Sequence, residues 1–211
     1  MRKLLPLLGG AIGLVILLAY LNFAFGWVML SQRLSLLLAF AIGPVAAFAT
    51  LALSENLSKV FDSSTVRLGS IFLVIAFALL TLMITMQQAI FVEYQQLLTA
   101  TGAHEPTATL QESFALVNHV QLGADVAFDI FYSIGIILIS SALVRGRRFE
   151  RLIGAYGLVV ATGLLALNIW FFPMPPAAMG SIDLGPATIV WWVALIVLDG
   201  QLNKRETSND A

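Results

Sequence analysis

The sequence predicts an all-α integral membrane protein with six transmembrane helices. Of its 211 residues, 59% are hydrophobic and only 11% are charged, whereas soluble domains average about a quarter charged. Apolar stretches of roughly the 20 residues that one helix needs to cross a bilayer occur six times. They cover residues 4–24, 34–53, 68–92, 122–144, 152–172 and 184–199. Because the connections between them are short, we expect a single domain over residues 1–211.

The first apolar stretch follows Arg2 and Lys3, a pattern that also opens secretory signal peptides. It is longer than the apolar core of about 7–15 residues in a signal peptide, and no A-x-A cleavage motif follows it. We therefore interpret it as a retained first span.

The positions of Lys and Arg predict the orientation, because these residues accumulate in cytoplasmic loops. With both termini in the cytoplasm, only Arg33 of the eleven basic residues lies outside. No Lys or Arg occurs between Leu68 and Val144, so the loop between the third and fourth spans is expected outside. The basic turn RGRRFER (145–151) is expected inside, where it anchors the topology and would suit anionic lipid.

The third and fourth helices are predicted to be longer than the bilayer is thick. A helix from about Ser64 to Thr101 would extend roughly 57 Å, against a hydrocarbon core of about 30 Å. The fourth helix is expected to begin early, because Thr109 and Glu112 have the spacing of a capping box. A helical hairpin of two or three turns should therefore project outside.

Small residues and prolines predict how the other helices pack. Pro44 is expected to kink the second helix, because proline removes a backbone hydrogen bond. Ala39 with Gly43 and Gly157 with Ala161 have the small-xxx-small spacing that lets helices approach closely.

The sixth span has a recognisable start. Ser181 or Asp183 can cap its N-terminus, and Pro186 suits its first turn. This start is expected on the outer side.

A polar stripe runs along the fourth span. Asn118, Gln121, Asp125, Asp129 and Tyr132 recur at intervals of three and four residues, which places them on one helix face. An Asp in the middle of a lipid-facing helix costs about 2.5–3.5 kcal/mol, so the stripe should face the other helices. We expect it to form an outward-opening ligand-binding basin together with His119, Gln87, Gln88, Asn168, Asn22, Arg33 and Glu93.

Asp125 and Asp129 lie one helical turn apart and cannot both ionise cheaply without a counter-charge. We expect Arg33 to pair with Asp125, Asp129 or Glu93, or one aspartate to be protonated, or a cationic ligand to supply the charge. The alternative is that these polar residues only join helices, through hydrogen bonds worth about 0.6 kcal/mol each.

The basin favours a non-enzymatic role. It would bind a small amphipathic ligand, a lipid headgroup or a partner membrane subunit, and a homo-oligomer is another form of partner. Trp27, Trp170, Phe171 and Phe172 could line its rim or form the aromatic belt at the membrane interface. Neither a cofactor nor a metal is expected.

A proton- or cation-coupled transporter of small solutes is the first alternative. Transport sites usually lie near the membrane midplane within broken helices of paired repeats. Here the predicted polar level is shallow, and the cytoplasmic half offers only Ser, Thr and Tyr down to Asp199.

An intramembrane enzyme that uses Asp125 and Asp129 is the second alternative. Aspartyl chemistry needs two carboxyl groups that face each other, and both of these lie on one helix. His119, Asp125 and Glu93 would form a metal site only if the third and fourth helices brought them together. The chain has no cysteine, which excludes disulfides and thiolate chemistry.

Two stretches of the C-terminal half, VQLGADVAFDIFYSIGIIL and LNIWFFPMPPAAMGSIDLGP, resemble small bacterial six-span membrane proteins of unknown function. The resemblance implies a location in the bacterial inner membrane and implies no activity.

Overall fold

The structure, a computed structural model, describes residues 32–101 and 108–209, and this part of the chain is helical. The helices are α1 (Gln32–Val60), α2 (Ser63–Thr101), α3 (Ala108–Leu143), α4 (Arg148–Phe171) and α5 (Gly185–Asn209), with a 3₁₀ helix at Pro176–Met179 between the last two.

All five α-helices are long and apolar enough to cross a membrane. They correspond to the second to sixth predicted spans, and the first predicted span, 4–24, lies outside the described residues. Large apolar side chains such as Leu37, Val159 and Val190 are exposed on the outside of the helices. Exposed apolar surface of this extent indicates a multi-span membrane protein.

The five helices form a closed ring. Each packs against the next in the chain, and α5 returns to α1. Asn56 on α1 joins this last contact, because its Nδ2 donates to Oδ1 of the buried Asp199 on α5 at 3.0 Å. Aromatic rings fill the interior, where Phe77 lies 5.9 Å from both Tyr132 and Trp192, measured between ring centroids.

Glycines set the closest helix crossings. A Cβ atom on Gly69 would lie 2.9 Å from the carbonyl oxygen of Gly135, and a Cβ on Gly135 would lie 2.9 Å from that of Gly69. A Cβ on Gly157 would overlap both Ser140 Oγ and the indole ring of Trp191. Gly157 is therefore the point at which α3, α4 and α5 meet, in agreement with the small-residue spacing.

The two ends of the bundle differ, and we name them by their residues. The hairpin end contains the start of α1, the end of α2, the start of α3 and the start of α5. The basic end contains the short turns at 61–62 and 144–147, with the arginines of 145–151.

The two long helices of the predicted hairpin are present, and its projection outside the membrane stays a prediction. Its first helix is Ser63–Thr101, and the second begins at Ala108, so Thr109 lies inside the helix and not at its N-cap. Asn168 of α4 meets Asp129 of α3, and α4 ends three residues later at Phe171. At 1.5 Å per residue, α3 therefore extends about 25 Å beyond the end of α4.

Two prolines and a capping aspartate occupy the helix positions that the sequence indicates. Pro44 lies inside α1, which continues on both sides of it. Asp183 Oδ1 accepts a hydrogen bond from the backbone N–H of Gly185 at 2.7 Å, so the predicted cap of the last helix is confirmed. Pro186 is the second residue of that helix, in its first turn.

Candidate ligand-binding site

The polar stripe of α3 faces the other helices. Gln121 and Tyr132 are buried, while Asn118, Asp125 and Asp129 are half-buried. Asp129 forms a side-chain hydrogen bond with α4, and Tyr132 forms side-chain hydrogen bonds with α5. The stripe therefore faces the interior of the bundle, as its helical spacing predicts.

Asp129 and Asn168 form the central polar contact. Asn168 Nδ2 donates to Asp129 Oδ2 at 3.0 Å and to the backbone carbonyl of Leu164 at 3.0 Å. These two bonds use both hydrogens of the amide nitrogen. The Asn168 side chain is fully buried, and among the described residues its Oδ1 has no hydrogen-bond partner. A buried acceptor left unpaired costs about 1–3 kcal/mol.

Two further carboxyl groups lie at this level. Asp125 and Asp129 are both close enough to Asp183 for their charges to repel. We call Asp125, Asp129, Asn168 and Asp183 the carboxylate basin. Of these four residues Asp183 is exposed, Asp125 and Asp129 are half-buried and Asn168 is buried, and all four lie toward the hairpin end of the bundle.

Basic side chains are scarce around the carboxylate basin. The sequence has no Lys or Arg in residues 68–144 or 152–203, which contain all four members of the basin. Arg33 lies in the first turn of α1, at the hairpin end, and its side chain falls outside the described residues. The expected pairing of Arg33 therefore stays a prediction.

On the side of the carboxylate basin that faces the basic end, hydrogen bonds link Tyr132 of α3 to Thr188 and Trp192 of α5. Thr188 Oγ1 donates to the carbonyl of Gly185 at 2.6 Å, which uses its only hydrogen. Tyr132 OH, 2.9 Å from Thr188 Oγ1, must then be the donor of that pair. Trp192 Nε1 in turn donates to Tyr132 OH at 2.7 Å. Tyr132 is thus occupied as a structural link between α3 and α5.

Sequence reasoning missed Thr188 and Trp192 as partners of Tyr132. Both lie in an apolar helix where they look like ordinary core residues. Their one signal is position, because both follow the capped start of α5 by about one and two helical turns.

Several predicted site residues lie away from the carboxylate basin. His119 is exposed, and its Nδ1 lies 2.6 Å from the carbonyl of Ala115 in its own helix. Gln87 and Glu93 are exposed and Gln88 is half-buried on α2. Asn22 lies outside the described residues.

The hypothetical metal site finds no support in the described geometry. Within residues 32–101 and 108–209, no three His, Asp or Glu side chains are placed to hold a metal ion. His119 and Glu93, which that site would need beside Asp125, are both exposed.

The aromatic residues near the end of α4 point mostly outwards. Trp170 is 82% exposed and Phe172 is 68% exposed, whereas Phe171 is half-buried. Trp27 lies outside the described residues. The exposure of Trp170 and Phe172 favours an aromatic belt at the membrane interface over the rim of the basin.

Three buried polar atoms lie deeper in the bundle than Asp129. Ser133 Oγ, Ser140 Oγ and Trp191 Nε1 have no hydrogen-bond partner among the described residues. Ser70 differs, because its buried hydroxyl donates to a carbonyl of its own helix. Ser133 and Ser140 continue the α3 stripe toward the basic end at helical spacing.

Comparisons of the chain with protein-family models, with curated proteins and with solved structures find no match. The resemblance of the C-terminal half to bacterial six-span proteins therefore stays a prediction.

Proposed function

We propose that the protein is a six-span protein of the bacterial inner membrane with both termini in the cytoplasm and the hairpin end outside. The five apolar helices support a multi-span membrane protein. The concentration of Lys and Arg at the opposite end supports the orientation. Under this topology the carboxylate basin opens toward the periplasm.

The proposed role is non-enzymatic binding at the carboxylate basin. The observation that carries it is the pair of half-buried carboxyl groups of Asp125 and Asp129, the second of which is held by the fully buried Asn168. Neither carboxyl group has a basic partner among the described side chains, which leaves a positive charge for a ligand to supply.

The chemistry of the basin selects its ligand. The carboxyl groups of Asp125 and Asp129 accept hydrogen bonds, so the ligand must supply donors and positive charge. The surrounding apolar helices suit a hydrocarbon tail. A small amphipathic molecule or lipid with an ammonium head fits best, and a partner membrane subunit with a basic side chain would use the same contacts.

Native mass spectrometry of the protein extracted from its own membrane tests this role. We expect a retained small molecule that is lost from Asp129→Asn and kept by Glu112→Gln, which removes an exposed carboxylate from the same helix. A long-chain alkylammonium should also bind to the emptied wild-type protein, at least about tenfold more tightly than to Asp129→Asn.

Two results would contradict binding at the basin. One is an alkyl sulfate of the same chain length that binds as tightly as the alkylammonium. The other is an Asp129→Asn protein that binds the alkylammonium like wild type.

A coupled carrier is the second candidate, because Ser133 and Ser140 extend unpaired polar groups below the basin, as judged within the described residues. Such groups are suited to hold water, which a proton or cation path needs. Liposomes that contain the protein would then show solute flux that responds to a pH gradient and disappears in Asp129→Asn. A flux that is absent in wild type as well would leave the binding role ahead.

A further inference from the structure

A second polar site lies at the basic end, where the two short turns between helices meet. A cavity of about 430 Å³ opens between the α1–α2 turn and the α3–α4 turn. Val60, Phe61 and Ala142 form an apolar wall, and charged side chains from both turns line the remainder. Its volume is in the usual range for small-molecule sites.

The acidic groups of this cavity are already occupied by the ends of helices. Asp62 Oδ1 accepts from the backbone N–H and the hydroxyl of Ser64, and Asp62 Oδ2 accepts from the Thr65 hydroxyl at 2.9 Å. These bonds cap α2, and the one from the Ser64 side chain contributes most to holding the pKa of the Asp62 carboxyl below its usual range. The buried Glu150 likewise accepts from the backbone N–H of Arg147 at the start of α4.

Two backbone carbonyls at the end of α3 are also used. Arg145 N–H donates to the carbonyl of Ala142, and Gly146 N–H donates to that of Leu143 at 2.9 Å. Arg145 and Arg147 are exposed residues, and both line the cavity. Each presents five N–H donors in a planar fork that matches phosphate oxygens.

We propose that this arginine cavity, lined by Arg145 and Arg147 against the apolar wall of Val60, Phe61 and Ala142, binds a phosphate group carried by an anionic lipid headgroup or free in solution. The inference does not depend on the role of the carboxylate basin, which lies at the other end of α3.

The location favours a phosphate at the membrane surface. The neighbouring Val60, Phe149 and Leu152 are exposed apolar residues at the same end of the helices. A lipid could therefore place its headgroup in the arginine cavity while its acyl chains remain beside the bundle. An anionic leaflet adds about 1 kcal/mol of attraction for each nearby Lys or Arg.

The chain offers a matched control for the test. Arg145→Gln/Arg147→Gln removes the two guanidinium groups of the cavity. Arg148→Gln/Arg151→Gln removes the same charge from the same basic segment, at exposed residues that do not line the cavity. Thermal unfolding of both variants checks that each remains folded.

Binding of short-chain phosphatidylglycerol to the purified, delipidated full chain is measured by native mass spectrometry, with phosphatidylcholine as the zwitterionic comparison. We expect wild type to prefer phosphatidylglycerol, the cavity variant to bind it at least about tenfold more weakly, and the control variant to stay within about twofold of wild type.

Inorganic phosphate distinguishes the two sources. If millimolar phosphate displaces the lipid from wild type, the cavity recognises phosphate whatever carries it; if only the lipid binds, the headgroup and its tail are both required. Equal weakening in the two arginine variants would overturn the proposal, because it would show only diffuse charge attraction. Wild-type protein that binds neither probe, or binds phosphatidylcholine equally well, would overturn it too.

Discussion

The two ends of α3 carry different polar groups, carboxyl groups at the hairpin end and arginines at the basic end. At the hairpin end, Asp125 and Asp129 present carboxyl groups, and the described residues offer them one side-chain donor, the amide of Asn168. At the basic end, Asp62 and Glu150 accept hydrogen bonds from the starts of helices, and two arginines line the same cavity. A hydrogen bond from a helix N–H fixes the position of a carboxylate without removing its charge. The ligand that each end accepts therefore depends on the donors and acceptors that stay accessible as well as on the formal charges around them.

One helix crossing supports both ends, and breaking it should have the largest effect. Gly157→Ala forces a Cβ into the space occupied by the buried Trp191 ring and by Ser140 Oγ. Overpacking of this kind costs typically about 1–3 kcal/mol and occasionally more. We expect a lower unfolding temperature together with weaker binding at both the carboxylate basin and the arginine cavity.

Gly200→Ala is the control for this crossing. Gly200 is an exposed helical glycine, and a Cβ added to it would have no described atom of another residue's side chain or of a neighbouring helix within 4 Å. Alanine there should be neutral or up to about 1 kcal/mol more stable, because glycine is the poorer helix former. A Gly157→Ala protein that unfolds like Gly200→Ala would show that the three helices do not pack as described.

The sequence predicted the parts of this comparison that depend on periodicity and length. The helix from Ser63 to Thr101 and the inward-facing stripe of α3 follow from helical spacing over long, uncharged stretches. The sequence also indicated that Asn168 and Asp129 belong to one basin. The hydrogen bond between them could not be predicted, because several other polar residues were assigned to the same basin and the choice among them depends on helix rotation and register.

The remaining features depend on contacts between distant segments. The crossing of Gly69 with Gly135 and the bond of Asn56 to Asp199 bring together residues that no local pattern relates. The arginine cavity arises because two short turns meet at one end of the bundle. In the sequence, its arginines indicated the topology and a fit to anionic lipid, but no cavity.

The next prediction concerns the contact between Asp129 and Asn168, at the hairpin end of the bundle. A double-mutant cycle with Asp129→Ala and Asn168→Ala should give a coupling energy of about 0.6 kcal/mol, and at most about 1.7, as for other hydrogen bonds within membranes. Unfolding in mixed detergent measures each stability. His119→Ala combined with Asn168→Ala should be additive, because His119 is exposed and bonds to its own helix. A coupling energy of zero between Asp129 and Asn168 would contradict the contact on which the basin depends.

The smallest expected effect concerns Asp62 at the basic end. Its pKa is lowered in the folded protein, chiefly by the hydrogen bond from the Ser64 side chain. The stabilising contribution is therefore complete above the unfolded pKa of about 4 and is lost as the pH falls through the lower folded value.

The unfolding temperatures of wild type and Asp62→Ala should accordingly differ slightly at neutral pH and converge in acid. Asp62→Asn should keep most of the cap at every pH, because asparagine also accepts from helix N–H groups. A difference between wild type and Asp62→Ala that grows in acid would contradict the sign of the shift.

We expect the carboxylate basin to be open to water from the hairpin end and the deeper serines to be closed off from it. Because the chain has no cysteine, a single introduced cysteine can be labelled without background. Asp125→Cys and Ser140→Cys are treated with a membrane-impermeant thiol reagent, from each side of sealed vesicles in turn. We expect Asp125→Cys to react only from the periplasmic side and Ser140→Cys to react from neither side. Reaction of Ser140→Cys at a similar rate, or of Asp125→Cys only from the cytoplasmic side, would contradict this expectation.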